Sequence, residues 1–155
     1  MSFSSVIDKE QIKGDRIMNM KQLCAKEALK YINDGMCVGL GGGSTVGYLA
    51  EYLAQEEKKI TVVTPSDDTA ELCKNLGLMV LSLEMTDHID IAFDGCDELD
   101  KHLNALKANG AIHTKEKIIA AMAEKYVLLI DESKYYETLP LEDSVTLEVI
   151  PQSRN

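Results

Sequence analysis

The chain has 155 residues, 45% of them hydrophobic, and a formal net charge of -10. That is enough for one domain, or two small ones, with a real core. The acidic balance argues against nucleic acid or an anionic membrane as partner, since both need a basic face, but it leaves room for a small phosphorylated molecule held by backbone N–H groups and one or two lysines.

Residues 1–14 are polar and aperiodic and are expected to form a mobile arm ahead of a domain spanning 15–155. Residues 1–13 hold no apolar run of the secretory type, and no stretch approaches a membrane span. Cys24, Cys37, Cys73 and Cys96 form no CxxC pair and show no ligand spacing with His88, His102 or His113. A reducing, cytoplasmic setting without structural zinc is the expectation.

From residue 15 or 16 the pattern turns helical, with Ile17, Met20, Cys24, Ala28 and Tyr31 on one face, and Gly35 supplies the stop. Residues 36–40 read as a buried strand. Gly41, Gly42, Gly43, Ser44 and Thr45 follow, and Val46, Leu49, Ala50, Leu53 and Ala54 restore helical spacing. A β-branched strand over 60–64 comes next, and Ser66 is placed to cap a helix carrying Ala70, Cys73 and Leu76. Gly77 ends it. Further strands are expected at 78–83 and 89–93, then a long loop over 94–110. A helix from Thr114 to Lys125, with Ile118, Ile119 and Met122 inward, precedes a strand at 126–130. Tyr135 and Tyr136 are expected to pack, and one more strand is possible at 145–150.

Strands alternating with helices define an α/β fold with a largely parallel sheet and helices on both faces. The loops at 41–45, 65–68, 94–110 and 131–134 all follow strands, so every candidate site falls on one sheet edge.

Four groups there carry possible chemistry. Three glycines let backbone approach an anion, and Ser44 and Thr45 add hydroxyls at a helix N-terminus; the same turn also serves as a plain strand–helix connection. Asp94, Asp97 and Glu98 crowd into five residues, which suits general acid–base work or a solvated acidic loop. Lys107, before an Ala-Asn-Gly turn, reads as an oxyanion or phosphate partner, or as a surface lysine. Glu116 falls in a helix first turn, where the dipole favours an anion. Lys134, at a strand end, and Lys21, on the first helix, are weaker candidates.

These blocks resemble those of type A ribose-5-phosphate isomerases. The resemblance rests on VGLGGGST (38–45), DGCDE (94–98), KANGA with KEK (107–117) and DESK (131–134). The corresponding family forms are close to VGLGTGST, DGADE, KGGGA with REK, and D-[ES]-SK. The resemblance implies a Rossmann-like fold and interconversion of ribose 5-phosphate and ribulose 5-phosphate through an enediolate, without metal or organic cofactor. It implies Glu116 as the carbon base, Asp94 for ring opening, and Lys107 for the developing oxyanion. Asp97, Gly95, Cys96, Ala108, Asn109 and Gly110 would line the sugar. Lys21, Gly42, Gly43, Ser44, Thr45 and Lys134 would hold the phosphate. A homodimer or homotetramer is implied.

This chain departs from the pattern in places. Gly42 stands for threonine, which removes a hydroxyl. Ala108 and Asn109 stand for two glycines; Asn tolerates the left-handed region and Ala does not, so a shifted Lys107 loop is expected. Cys96 stands for alanine and Lys115 for arginine. The family's C-terminal small α+β domain is expected to be absent, exposing a sheet edge. The alternative function is a sugar-phosphate-binding domain without turnover. A relative of CoA transferases or sugar-phosphate deaminases is a third reading, without support at residues 94–116.

Overall fold

The computed structural model describes residues 20–142 and 144–149, so the expected N-terminal arm and Ile17 lie outside the described residues. In chain order the elements are α1 (Met20–Leu29), β1 (Cys37–Leu40), α2 (Ser44–Gln55), β2 (Thr61–Val63), α3 (Asp67–Asn75), β3 (Met79–Leu81), β4 (Ile89–Asp94), β5 (Glu98–Asp100), β6 (Ala105–Leu106), α4 (His113–Met122), β7 (Ala123–Leu128) and β8 (Tyr135–Tyr136). Five strands form one parallel sheet in the order β3-β2-β1-β4-β7. The chain builds outward from β1 in one direction and then restarts at β4 in the other. The strand order therefore reverses between β1 and β4, where a doubly wound sheet opens a crevice at its carboxyl edge.

Both faces are covered, unequally. Val38, Leu40, Val62, Ile91 and Phe93 bury against α1, α2 and α3 through Ala25, Ala28, Leu49, Leu53 and Cys73. On the other face Val63, Ile89 and Ala92 meet Ile119 of α4, flanked by Met122 and Tyr126. Each fully buried aliphatic side chain contributes about 1.5–3 kcal/mol, so this two-sided core accounts for the near-continuous apolar strands.

Several expectations shift. The buried stripe of α1 is Ala25, Ala28 and Leu29, while Met20 and Tyr31 are exposed. The α-helix stops at Leu29, and Lys30, Tyr31 and Ile32 bond three residues back in a tighter turn. The strand expected at 78–83 shortens to β3, and Leu83–Met85 is a 3-10 turn. The helix expected from Thr114 begins at His113 with Ile112 as cap, and Ile118 faces solvent while Ile119 is buried. It ends at Met122 because β7 starts at once on pairing with β4; sheet hydrogen bonding overrides the local helix preference of the sequence AAMAEK. Tyr135 and Tyr136 are exposed, held by the pairing of β8 with β5 and not by packing. Residues 144–149 form no strand, and Ile150 lies outside the described residues.

The expected long loop after β4 is largely ordered. β5 pairs antiparallel with β6 and parallel with β8 in a second, three-stranded sheet. Asp100 closes the β5–β6 turn by accepting from the N–H of His102 and Asn104 and from the Asn104 amide. This small sheet carries Lys107 back over the crevice.

Candidate active site

Gly41 follows β1 directly and lies beside Asp94, which ends β4. A Cβ on Gly41 would lie inside the Asp94 carboxylate, so only glycine permits this approach. The turn is pinned on both sides: Gly41 N–H donates to Phe93 O at 2.8 Å, and the buried Thr69 hydroxyl donates to Gly41 O at 2.9 Å. Gly43, with φ 92, then caps α2. The first-turn N–H groups of a helix have no intrahelical acceptor, and here that end opens into a cavity.

The cavity has a volume of about 500 Å³ and takes in the carboxyl ends of β1, β2, β4 and β7. Opposite the glycine turn stands a charged cluster. Lys107 Nζ lies 3.0 Å from Asp94 Oδ2 and 3.3 Å from Glu116 Oε2. It also donates to Gly95 O at 2.5 Å. The ammonium thus donates to one carbonyl and pairs with two carboxylates at once. Asp94 is 3% exposed and Glu116 6%, so neither is solvated, and Glu116 does lie in the first turn of α4 as expected. Burial pushes the Glu116 carboxyl above the usual glutamate range; the nearby Asp94 charge adds to this and Lys107 opposes it.

Asp97 also faces the cavity, but its carboxylate is already engaged. It accepts from Ala108 N–H at 2.6 Å, Asn109 N–H at 3.1 Å and the Asn109 amide at 2.5 Å. Burial alone would raise its pKa; these donors outweigh it and hold the carboxyl below the usual range. Asp97 thus ties down the Lys107 loop. Glu98 leaves the cluster altogether. It is 2% exposed and accepts from the N–H groups of Leu141 and Glu142 at 2.9 and 3.0 Å.

Gly42, Gly43, Ser44, Thr45, Lys21, Gly95, Cys96, Asn109, Gly110 and Lys134 all line the cavity. Lys21 Nζ donates to Ser44 Oγ at 3.0 Å and Lys134 Nζ to Cys96 O at 2.7 Å. Burial pushes the Cys96 thiol up to about 11, which keeps it an unreactive neutral lining group. Ala108 is the correction: it is buried, with its N–H on Asp97 and its carbonyl taken by the Thr146 hydroxyl, and it does not face the cavity. Nor do Ala108 and Asn109 adopt the left-handed backbone. That conformation falls on Gly110 and Ala111, so replacing two glycines at 108 and 109 carries no such strain there.

Tyr126 was not among the sequence candidates, yet its hydroxyl donates to Asp94 Oδ2 at 2.9 Å. Its position inside an apolar run gave no local signal. Only the pairing of β7 with β4, which sets Tyr126 opposite Ala92, brings it to Asp94.

Fold and cavity together define a Rossmann-like α/β domain with a lysine-bridged carboxylate pair at its switch point. The sequence model described as Ribose 5-phosphate isomerase A (phosphoriboisomerase A) matches residues 61–155, and the chain belongs to that family. A second model, the DeoR C terminal sensor domain, matches residues 17–83. The chain is 44% identical over 140 residues to the ribose-5-phosphate isomerase A of Thermococcus kodakarensis, covering 87% of this chain and 61% of that protein. A solved D-ribose-5-phosphate isomerase in complex with phospho-erythronic acid superposes with a TM-score of 0.77 at 39% identity, over 81% of this chain and 58% of that one. The enzyme of Neisseria gonorrhoeae gives 0.74 at 34% identity, over 77% of this chain and 54% of that one. The chain therefore spans about 60% of the length of the curated relatives it matches.

Proposed function

We propose that this chain interconverts ribose 5-phosphate and ribulose 5-phosphate through an enediolate. The observation that carries the reading is the single lysine shared by two buried carboxylates, facing a glycine turn across one cavity. Glu116 takes the proton from C2 of the open-chain aldose and returns it to C1. Burial suits it to this, since a carboxylate with raised proton affinity is a better base when ionised. Lys107 offsets the negative charge that appears on the substrate oxygen, a stabilisation worth most where water is excluded. Asp94 moves hydroxyl protons during ring opening. Asp97 meets sugar hydroxyls while it holds the loop. The α2 N-terminus with Ser44, Thr45, Lys21 and Lys134 receives the phosphate, in a chain that is acidic overall.

The test is turnover by this chain. Incubation with ribose 5-phosphate yields ribulose 5-phosphate, and Glu116→Gln lowers kcat by about 10²–10⁴ while sugar-phosphate binding persists. Near-normal turnover by that variant would remove Glu116 as the base. The match of residues 17–83 to a sensor domain supports a second reading, binding without turnover. Saturable binding of ribose 5-phosphate with no ribulose 5-phosphate formed would favour it. A homodimer or homotetramer in a cytoplasmic setting belongs to the same proposal, and sedimentation checks the assembly. Among the described residues no helix is long and apolar enough to cross a membrane.

A further inference from the structure

Tyr126 has no part in the reaction as proposed, yet it touches the acid–base pair. Its ring packs with Val63, Ile89, Ala92 and Ile119 beneath α4, the helix that carries Glu116. Its hydroxyl reaches past that layer to Asp94 Oδ2 at 2.9 Å. The same oxygen faces Lys107 Nζ at 3.0 Å, and Oδ1 accepts from Gly95 N–H at 2.8 Å. The Asp94 carboxylate thus accepts from Gly95 N–H and the Tyr126 hydroxyl and pairs with Lys107, while the Glu116 carboxyl is near enough to share a proton with it. Burial, reinforced by the Asp94 charge, raises the phenol pKa well above its usual range, so Tyr126 acts as a donor and not as a base. The ionisable groups facing this pair are Glu116 from α4 and Lys107 and Cys96 from the loops, with Asp97 and Lys134 beyond Cys96. On the β1 side the neighbour is Gly41, which brings none.

We propose that Tyr126 is a positioning residue for the carboxylate pair: its hydroxyl holds Asp94 as an acceptor, so that a proton entering the pair resides on Glu116. In the reaction this keeps one carboxylate fixed while the other exchanges a proton with carbon. The catalytic meaning rests on the isomerase reading; the effect on proton affinity does not. Tyr126→Phe keeps the ring and removes one donor to a charged group. Proton uptake by the pair then becomes easier, and because the two carboxylates titrate together the change appears as a shift of the pair. The expected shift is upward by about one pH unit.

The deciding measurement is a carboxyl carbon NMR titration of the full chain, wild type against Tyr126→Phe, with thermal melting as a check on folding. The proposal expects the proton-uptake midpoint of the pair to rise by about one pH unit while the melt is nearly unchanged. Coincident titrations overturn it, since a tyrosine that only packs would leave them alike. If ribose 5-phosphate is turned over, the acidic limb of kcat/KM moves upward by the same amount. If the wild type shows no turnover, the isomerase reading fails while the titration still decides the role of Tyr126. Should the variant not fold, the hydroxyl proton of Tyr126 in the wild type decides: its resonance is expected to follow the titration of the pair, and no response overturns the proposal.

Discussion

Replacing Lys107 with methionine removes the only cation within ion-pair distance of Asp94 and Glu116 among the described residues. At 3.0 and 3.3 Å, and an effective dielectric near 20, each contact carries about 5 kcal/mol of bare attraction. Desolvation offsets much of that, and breaking a buried pair by deleting one partner costs about 3–5 kcal/mol. The stranded carboxylates can relieve the cost by binding a proton. Burial already makes Glu116 hold its proton more tightly than an ordinary glutamate, and the variant would strengthen that hold. A folded-state pKa above the unfolded one gives stability that is fully present below the unfolded value and is lost as pH rises through the folded one. The loss runs at about 1.4 kcal/mol per pH unit for one proton. Lys107→Met should therefore be only mildly destabilised near pH 5 and destabilised by about 3 kcal/mol or more near pH 8. Urea unfolding followed by circular dichroism at both pH values measures this. Equal destabilisation at the two, or less than about 0.5 kcal/mol at pH 8, would refute the shared-cation argument.

The two neighbouring glycines should behave oppositely. Gly41→Ala forces its methyl into the Asp94 carboxylate, with a cost of about 1–3 kcal/mol by thermal melting and loss of turnover. At Gly42 an added Cβ meets nothing closer than 3.6 Å, so Gly42→Ala should change stability by less than about 0.5 kcal/mol. Glu98→Ala leaves the N–H groups of Leu141 and Glu142 without their carboxylate and should cost about 1–3 kcal/mol, read as a lower urea midpoint at unchanged m-value. A base must be ionised to act, and Glu116 binds its proton more tightly than an ordinary glutamate. Turnover should therefore fall, as pH is lowered, at a pH above the ordinary glutamate value; a limb at or below that value contradicts the burial argument.

The alternation of apolar runs and amphipathic stretches made the parallel sheet and its loop edge legible, because Val38, Leu40, Val62, Ile91 and Phe93 are buried for reasons local composition reflects. The Ser66 cap was legible for the same reason: its hydroxyl accepts from Thr69 N–H as the motif requires. What stayed hidden depended on partners distant in sequence. Glu98 and Asp100 are buried in β5, but their acidic character reads as loop until the amides that satisfy them are known. Tyr126 reads as strand filler until β7 is paired with β4. The expected face of α1 holds at Ala28 and partly at Cys24, but Met20 and Tyr31 are exposed and Ala25 and Leu29 take their place in the docked stripe. Asn109 was considered for its backbone tolerance, whereas its side chain serves to grip Asp97.

The sharing of Lys107 between two carboxylates has a consequence for timing. In the free protein the ammonium donates to one carbonyl and its charge is shared between two carboxylates, which compete with an incoming oxygen for it. In the proposed reaction Glu116 becomes neutral at the moment it takes the carbon-bound proton, and its grip on the lysine slackens. The same event places negative charge on the substrate oxygen. One proton transfer would thus both create the oxyanion and release the cation that meets it, so the lysine discriminates between ground state and enediolate without moving far. An anionic enediolate analogue should then bind Glu116→Gln at least as tightly as the wild-type chain, and markedly weaker binding would argue against this handover.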